Sequence, residues 1–503
     1  MIAKVLSYAL NGLSGFKVEV EIDVNNGIPA FEIVGLADTA VKEAKERVRS
    51  AIKNSGRTIP TRRITANLAP ADLKKEGSYL DLALAVGVLV SSAQLNAEVN
   101  DIIFLGELSL DGGIRKIRGV LPTLIDALNN GYKKFVIPFE NKEEASFVEG
   151  IEVYPAKSLS DVIDHLSGLK PIEKLERKEY VIANKNKVYD SDMSFVKGQK
   201  MAKRALEVAV SGGHNLLFVG APGTGKTMLA KCIPTIMPDM TFQEALETTK
   251  IHSVAGYLNG EEGIVYKRPF RSPHHTATTV ALTGGGSNVR PGEISLAHNG
   301  VLFLDEMPEY SRSTLEALRQ PLEDKVITIA RATSSTTFPA DFILCGSMNP
   351  CPCGNYGSTT KTCTCTPSQI AKYKAKLSGP LLDRIDLQVQ VDEVKYAELS
   401  DETEGETSEQ VRQRVNRTRL IQKERFIKDG ILTNANMGEK HIKKYCILSK
   451  ECESILKSAY ENLKLSPRAR ARIIKVARTI ADMSLYEEIR PEHILEAISY
   501  RQI

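Results

Sequence analysis

Leu216-Leu-Phe-Val-Gly-Ala-Pro-Gly-Thr-Gly-Lys-Thr227 decides the reading of this chain. Leu216 to Val219 are four apolar residues that read as a short buried strand, a glycine-rich turn follows, and helix formers begin at Met228. The turn fits G-x-x-x-x-G-K-[ST] through Gly220, Gly225, Lys226 and Thr227, with Ala221, Pro222, Gly223 and Thr224 between them. Each position has a physical task. The glycines let backbone N–H groups curl around phosphate oxygens, and the opening helix adds its positive N-terminal dipole. Lys226 reaches the β- and γ-phosphates, and the Thr227 hydroxyl is placed to ligate Mg²⁺. A strand before and a helix after are the context that separates such a turn from an accidental match. The stretch predicts a site for ATP and Mg²⁺.

Working outward, Val301-Leu-Phe-Leu-Asp305-Glu306 reads as a second buried strand, about 80 residues downstream, that delivers two carboxylates at its end. Asp305 is expected to hold Mg²⁺ through water, and Glu306 to orient and polarise the attacking water. A third strand, Phe342-Ile-Leu-Cys-Gly346, leads to Ser347-Met-Asn349-Pro350. Asn349 sits where AAA+ proteins place a polar sensor beside the γ-phosphate; taken alone, Asn-Pro is just a turn. Upstream, Phe195-Val-Lys-Gly-Gln199 precedes an amphipathic helix from Ala202 to Val210. By the same resemblance Val196 and Gly198 are base-contact candidates, with helix-start packing as the alternative.

At 503 residues the chain has room for three or four domains, because single cores seldom exceed about 250 residues. An apolar fraction of 42% and a charged fraction of 25% are those of an ordinary soluble protein. The net charge is only +4, so any nucleic-acid surface has to be local. Met1-Ile-Ala-Lys-Val lacks the pattern of a secretion signal, and the longest apolar run, Leu82 to Val90, is too short to cross a bilayer. A cytoplasmic protein without a membrane partner is expected.

Residues 1–168 alternate β-rich and helical runs and are read as an α/β domain of their own. Val18 to Val24 alternates as a half-exposed strand does, Asp38 to Lys53 has helix composition, and Ser78 to Val90 reads as a buried helix. Phe104 to Leu110 followed by Asp111-Gly-Gly113 reads as a hairpin, and Phe135-Val-Ile-Pro138 ends another strand. The order resembles the proteolytic domain of Lon through Lys75-Glu-Gly77, Gly106-Glu-Leu-Ser-Leu-Asp-Gly112 and Ile117-Arg-Gly119. Lon-type proteolysis needs a Ser–Lys dyad, since an unactivated hydroxyl is a weak nucleophile. Here the serine position falls on Tyr79 and the lysine position on Leu121, so a non-proteolytic scaffold is expected, with Ser78 as a turn or N-cap residue. Residues 169–190 are charged, lack a sustained apolar period and read as a linker. Residues 191–395 are read as an AAA+ core and 396–503 as a helical lid.

Two insertions mark that core. Tyr266 to His275, Gly284-Gly-Gly286 and Pro291 to Gly300 are rich in glycine and proline and read as a loop or hairpin. Adjacent His274 and His275 cannot share a helix face, which favours hydrogen bonding or packing over a metal pair. Val326 to Arg331 with Thr337-Phe-Pro-Ala reads as a β-hairpin flanked by Lys325 and Arg331, cations placed either for phosphates or for solvent.

Cys351-Pro-Cys353 and Cys363-Thr-Cys365, nine residues apart, hold four of the eight cysteines. Without a secretion signal the cluster suggests metal more than disulfides. Four thiolates suit structural tetrahedral Zn²⁺; a redox pair or unconnected thiols are the alternatives. Cys232, Cys345, Cys446 and Cys452 are scattered and read as core or surface thiols.

Pro269-Phe-Arg-Ser-Pro-His-His275, Pro291 to Pro308 and Asn349-Pro-Cys-Pro-Cys-Gly354 resemble the Mg-chelatase-like AAA+ family of the ComM/YifB type, and the Lon-like front domain is that family's arrangement. The resemblance covers essentially the whole chain. It implies a homo-hexameric ATPase on single-stranded or branched DNA, a helicase driving branch migration in recombination and natural transformation. The same clade includes MCM helicases, whose two inserted hairpins touch DNA in the ring's channel. The alternative is a chelatase-type ATPase that remodels a protein partner for metal insertion.

Leu381-Leu-Asp-Arg384-Ile-Asp386 then fits the motif whose arginine reaches a neighbour's γ-phosphate, with an ion pair to Asp383 or Asp386 as the local alternative for Arg384. Asp401 to Glu409 is acidic and reads as mobile. Val411 to Lys428 is a very basic helix, either a solvated face or a contact for DNA or a neighbour. Ser466-Pro-Arg468 opens a helix from Ala469 to Met483 and resembles the second AAA+ sensor, which makes Arg468 the phosphate-contacting candidate, with Arg470 and Arg472 close by in register.

Overall fold

The computed structural model describes residues 2–501 apart from 37, 74, 76, 183–188, 259, 287–288, 331–334, 359–360 and 395–404. It is an α/β protein with two main sheets and a helical C-terminal end. The first sheet comprises β1 (Ile2–Asn11), β2 (Ser14–Asn25), β3 (Ala30–Val34), β4 (Arg63–Ala69) and β5 (Ile102–Phe104), then, beyond a small hairpin of β6 (Glu107–Leu108) and β7 (Ile114–Arg115), β8 (Lys134–Pro138) and β9 (Glu152–Ala156). Its order is β3-β4-β2-β1-β5-β8-β9. The alternation in β2 does its expected work: Val18, Val20, Ile22 and Val24 are buried while the intervening residues are not. Asp38 caps the helix Thr39–Asn54 by accepting from the Val41 N–H, and the helix Asp81–Ser91 is buried on nearly every side. The expected hairpin is shorter than its motif, because Phe104 is drawn into β5 and only Glu107 to Arg115 turn back.

The second sheet contains β10 (Leu216–Val219), β11 (Phe270–Arg271), β14 (Val301–Leu304), β17 (Ile343–Met348) and β18 (Leu387–Gln390), all parallel, in the order β11-β14-β17-β10-β18. Both faces are covered, so β10 and β14 are apolar throughout and fully buried. Phe270-Arg271, expected within a loop, is instead the edge strand of this sheet, paired to Val301 and Leu302. Two hairpins interrupt it: β12 (Gly284–Gly285) with β13 (Arg290–Pro291), and β15 (Val326–Ala330) with β16 (Ser335–Pro339). Lys325 pairs with Asp341 at 3.0 Å. Arg331 lies outside the described residues.

Helices Ser408–Arg425, Glu439–Tyr445, Lys450–Asn462, Pro467–Met483 and Pro491–Ser499 close the chain. Their apolar faces join the core under β10, where Val476, Ile480 and Ile494 pack with Leu206, Leu216 and Ile233. Part of the basic helix is engaged within the fold: Arg414 pairs with Glu207 and Glu406, Arg425 with Asp482, and Arg419 donates to the Val210 carbonyl, while Arg417, Lys423 and Lys428 are exposed. The acidic stretch before it is likewise engaged, with Glu409 on Arg412. Asp401 to Glu404 lie outside the described residues. No helix among the described residues is long and apolar enough to cross a membrane.

The two sheets are joined through Glu144. Its carboxylate accepts from Ser253 Oγ at 2.6 Å, Asn141 Nδ2 at 2.6 Å and the Leu121 backbone N–H at 3.2 Å. Burial pushes this carboxyl up, and those donors pull it back. Leu121, at the lysine position of the Lon resemblance, is thus a buried residue of the joint, while Ser78 donates to Glu107 and Lys75 to the Pro70 carbonyl. Residues 171–182 carry no helix or strand, yet Leu175 N–H donates to Val153 O at 2.8 Å and Tyr180 Oη to Met240 O at 2.9 Å.

Candidate nucleotide site and its arginines

Parallel register puts the motifs side by side. β10 pairs Val219 with Met348, and β14 pairs Leu304 with Gly346, so Gly220, Asp305, Ser347 and Asn349 all emerge at one edge of the sheet. The phosphate loop runs from Gly220 into the helix Lys226–Ile236, with Gly223 and Gly225 in the left-handed region. Gly220 has no room for a side chain: a Cβ there would lie 2.3 Å from the Val391 carbonyl oxygen.

Lys226 is buried. Its ammonium donates to the carbonyls of Gly220 at 2.7 Å and Ala221 at 2.8 Å, and to Asn349 Oδ1 at 3.3 Å. Burial lowers its pKa, and the charges of Asp305 and Glu306 counter that. Thr227 Oγ1 donates to Asp305 Oδ2 at 3.1 Å. These oxygen donors fit a hard cation such as Mg²⁺. Glu306 has φ +49°, and its N–H donates to Asp305 Oδ1 at 3.1 Å and Ser347 Oγ at 3.2 Å. A left-handed glutamate is a strained conformation found where a site dictates it. Val196 is buried in the core and Gly198 has φ +61°.

Two groups at this edge were not anticipated. Ser347 donates to Asp305 Oδ1 as well as receiving the Glu306 N–H. The available signal is its place near the end of β17, two residues before Asn349. His275 Nδ1 lies 3.7 Å from Glu306 Oε2, and its ring lies against His274 at 4.1 Å between centroids, tilted by 34°.

Arg384 and Arg468 are elsewhere. Arg384 is buried and paired with Glu323, not with Asp383 or Asp386, and it donates to the Pro380 carbonyl at 2.9 Å. Arg468 Nη2 lies 3.6 Å from the other oxygen of Glu323. Hydrogen bonding from Arg384 holds the Glu323 carboxyl below its ordinary value, and the charge of Arg468 adds to this. Asp386 is occupied by Arg472, by His214 and by the Asn215 N–H. Both candidate arginines line a cleft with Lys325, Arg472 and Lys475 beside Asn215, at the start of β10. Lys226 lies beyond the other end of β10, whose four residues alone span about 13 Å at ~3.3 Å each. Arg470 points away, toward the helix Lys450–Asn462.

The four clustered cysteines come together: their sulfurs all lie within 4.8 Å of one another, a group able to hold a metal ion. Cys232, Cys345, Cys446 and Cys452 are buried in the core.

Three family models match the chain: "Subunit ChlI of Mg-chelatase" over residues 20–141, "Magnesium chelatase, subunit ChlI" over 192–399, and its C-terminal model over 405–501. The chain is similar to the competence protein ComM of Haemophilus influenzae, 44% identical over 508 residues that cover 99% of this chain and 97% of that protein. It is similar to YifB of Escherichia coli, 42% identical over 498 residues, 98% of this chain and 95% of that one. Shorter similarities run to Lon protease 2 of Bacillus subtilis, 26% identical over 36% of this chain and 35% of that protein, and to an Arabidopsis thaliana protein named "Probable DNA helicase MCM9", 28% identical over 35% of this chain and 22% of that one.

Proposed function

The chain belongs to the Mg-chelatase-like AAA+ family of ComM and YifB, and from that premise we propose that it is a cytoplasmic, ATP-hydrolysing ring motor that acts on DNA. The observation that carries the reading is the division of the hydrolytic groups. Lys226, Thr227, Asp305, Glu306 and Asn349 converge at the carboxyl ends of the strands, while Arg384 and Arg468 sit on Glu323 beside the opposite end of β10. A complete site therefore takes its arginines from a neighbouring copy, as a closed homo-hexamer provides.

In that ring, phosphate oxygens of ATP take the Lys226 ammonium in place of two carbonyls, and Thr227 and Asp305 hold the Mg²⁺. Glu306, oriented by Ser347 and His275, polarises water. The neighbour's Arg384 neutralises charge on the γ-phosphoryl group. The hairpins β12–β13 and β15–β16, inserted beside this site, are the elements we assign to grip DNA. The names of two relatives, "Competence protein ComM" and "Probable DNA helicase MCM9", are the support for a DNA substrate, and branch migration in recombination and transformation is the finer activity we assign.

The test is the ATPase rate with and without single-stranded or branched DNA, at low and moderate salt. Strong stimulation that salt weakens is expected, since phosphate contacts release counterions. A rate indifferent to every DNA form would exclude a DNA motor. It would favour a chelatase-type ATPase remodelling a protein partner, the reading that the ChlI family models support.

A further inference from the structure

The loop from Cys351 to Cys365 takes no part in the hydrolytic scheme, yet it is built onto the phosphate loop. Its sulfurs are separated by 3.4 Å for Cys351–Cys353, 3.7 Å for Cys351–Cys363 and 3.6 Å for Cys353–Cys363. Zn–S bonds of ~2.3 Å in a tetrahedron give sulfur–sulfur edges of ~3.8 Å, whereas a disulfide brings sulfurs to ~2.05 Å. All four thiols are free. Backbone N–H groups are aimed at the sulfurs, Tyr356 at Cys351 Sγ (3.3 Å) and Cys365 at Cys363 Sγ (3.5 Å), the outer-shell donors that thiolate ligands use. Four sulfurs around one point make a closed site that suits a soft-accepting d¹⁰ ion.

The seat of this loop is specific. Gly354, at φ +80°, lies against Pro222 of the phosphate loop so closely that a Cβ there would be 2.6 Å from Pro222 Cδ. Ser358 Oγ donates to Glu393 Oε1 at 2.7 Å, and Gln199 Nε2 donates to the Asp392 carbonyl at 2.6 Å and to Thr224 O at 3.4 Å. Val391, just before, closes over Gly220. Asn349, two residues ahead of Cys351, already holds Lys226. The cysteine loop, the phosphate loop and the segment after β18 therefore pack as one unit.

We propose that Cys351, Cys353, Cys363 and Cys365 bind one Zn²⁺, which fixes the 351–365 loop against Pro222 and thereby holds the phosphate loop and Asn349 in nucleotide-binding geometry. The metal assignment stands on the sulfur geometry. The coupling rests on the nucleotide reading given above.

Metal analysis of the purified full-length chain tests the first part, together with the absorption spectrum after replacement by Co²⁺. One zinc per chain and the bands of tetrahedral thiolate-bound cobalt are expected, both lost in Cys351→Ser and Cys363→Ser. Titration with a fluorescent ATP analogue tests the second, on the native chain, after removal of zinc by a chelator, and after refilling. Stripping is expected to weaken binding by about tenfold or more, as when a positioning loop shifts, and refilling to restore it. Gly354→Val, which leaves every cysteine in place, is expected to keep zinc and weaken nucleotide binding, so the coupling is tested even if a cysteine variant fails to fold. Trace metal only, with no sulfur-ligated cobalt spectrum, overturns the site, and stoichiometric iron overturns the choice of ion. Bound zinc with the same nucleotide affinity before and after stripping overturns the coupling. A zinc-loaded native chain that binds no ATP analogue overturns the nucleotide reading, and the coupling with it, but not the metal site.

Discussion

Arg384 and Glu323, 61 residues apart in sequence, form an ion pair at the start of the strand whose far end carries the phosphate loop. Arg384 Nε is also buried without a hydrogen-bond partner among the described residues. Glu323 and the Pro380 carbonyl hold Arg384 beside the start of β10, away from Lys226 of the same chain. Arg384→Ala is expected to keep ATP binding and to lose turnover by about 10³-fold or more. Mixed with Glu306→Gln, it should regain part of the activity, because one kind of interface then pairs an intact Glu306 with an intact Arg384. Mixtures as inactive as the separate variants would place the arginine's action within one chain.

Glu306→Gln alone removes the carboxylate to which we assign the polarising of water but leaves Lys226, Thr227 and Asp305 in place. Steady-state turnover should fall about 10²- to 10⁴-fold, with the affinity for a fluorescent ATP analogue unchanged. A parallel loss of binding would show that Glu306 supports the fold of the site instead.

Burial lowers the Lys226 pKa, with Asp305 and Glu306 acting the other way. The ammonium form binds phosphate, so nucleotide affinity should decline as pH rises toward that lowered pKa, before the ~10.4 of an ordinary lysine is reached. Binding titrations from neutral to alkaline pH check this. Lys226→Met should bind weakly at every pH and lack the alkaline decline.

Asp386 anchors the other end of the sheet. Burial alone would push its carboxyl up, but the charge of Arg472, with His214 and the Asn215 N–H, outweighs burial and holds it well below the usual range. A depressed carboxyl contributes stability above its unfolded pKa of ~3.9 and loses that contribution as pH falls through the folded value. Acid should therefore destabilise the native chain, and Asp386→Asn should cost about 1–3 kcal/mol near neutral pH by removing the charge that the partly exposed Arg472 and the Asn215 N–H meet. Denaturant melts of both proteins, compared at neutral and acid pH, measure the difference.

Much of the site was legible because its chemistry is local. Gly220 to Thr227 are held at fixed covalent spacing between a strand and a helix, so residue types and offsets specify the geometry. The same holds for Asp305 and Glu306 at the end of β14 and for Asn349 after β17. Residues less tied to their neighbours were not legible. Arg414 and Arg425 read as part of a solvated or DNA-facing stripe, and their partners Glu207 and Asp482 come from other helices; Arg417 and Lys423 are exposed as that reading has it. Phe270-Arg271 looked like loop because two residues carry no periodicity, and only pairing with β14 makes them a strand.

The sequence by itself therefore determined the strand–turn–helix of the candidate phosphate loop, the placement of Asp305, Glu306 and Asn349 after their strands, and the α/β order of elements, set largely by contacts within a few residues. Tertiary structure alone decided that Arg384 and Arg468 share Glu323 away from Lys226, that Ser347 and His275 flank Glu306, and that Gly354 seats the cysteine loop on Pro222. The physical reason is that charge pairing and close packing depend on distances between elements far apart in the chain, which strand register and core packing fix only after folding.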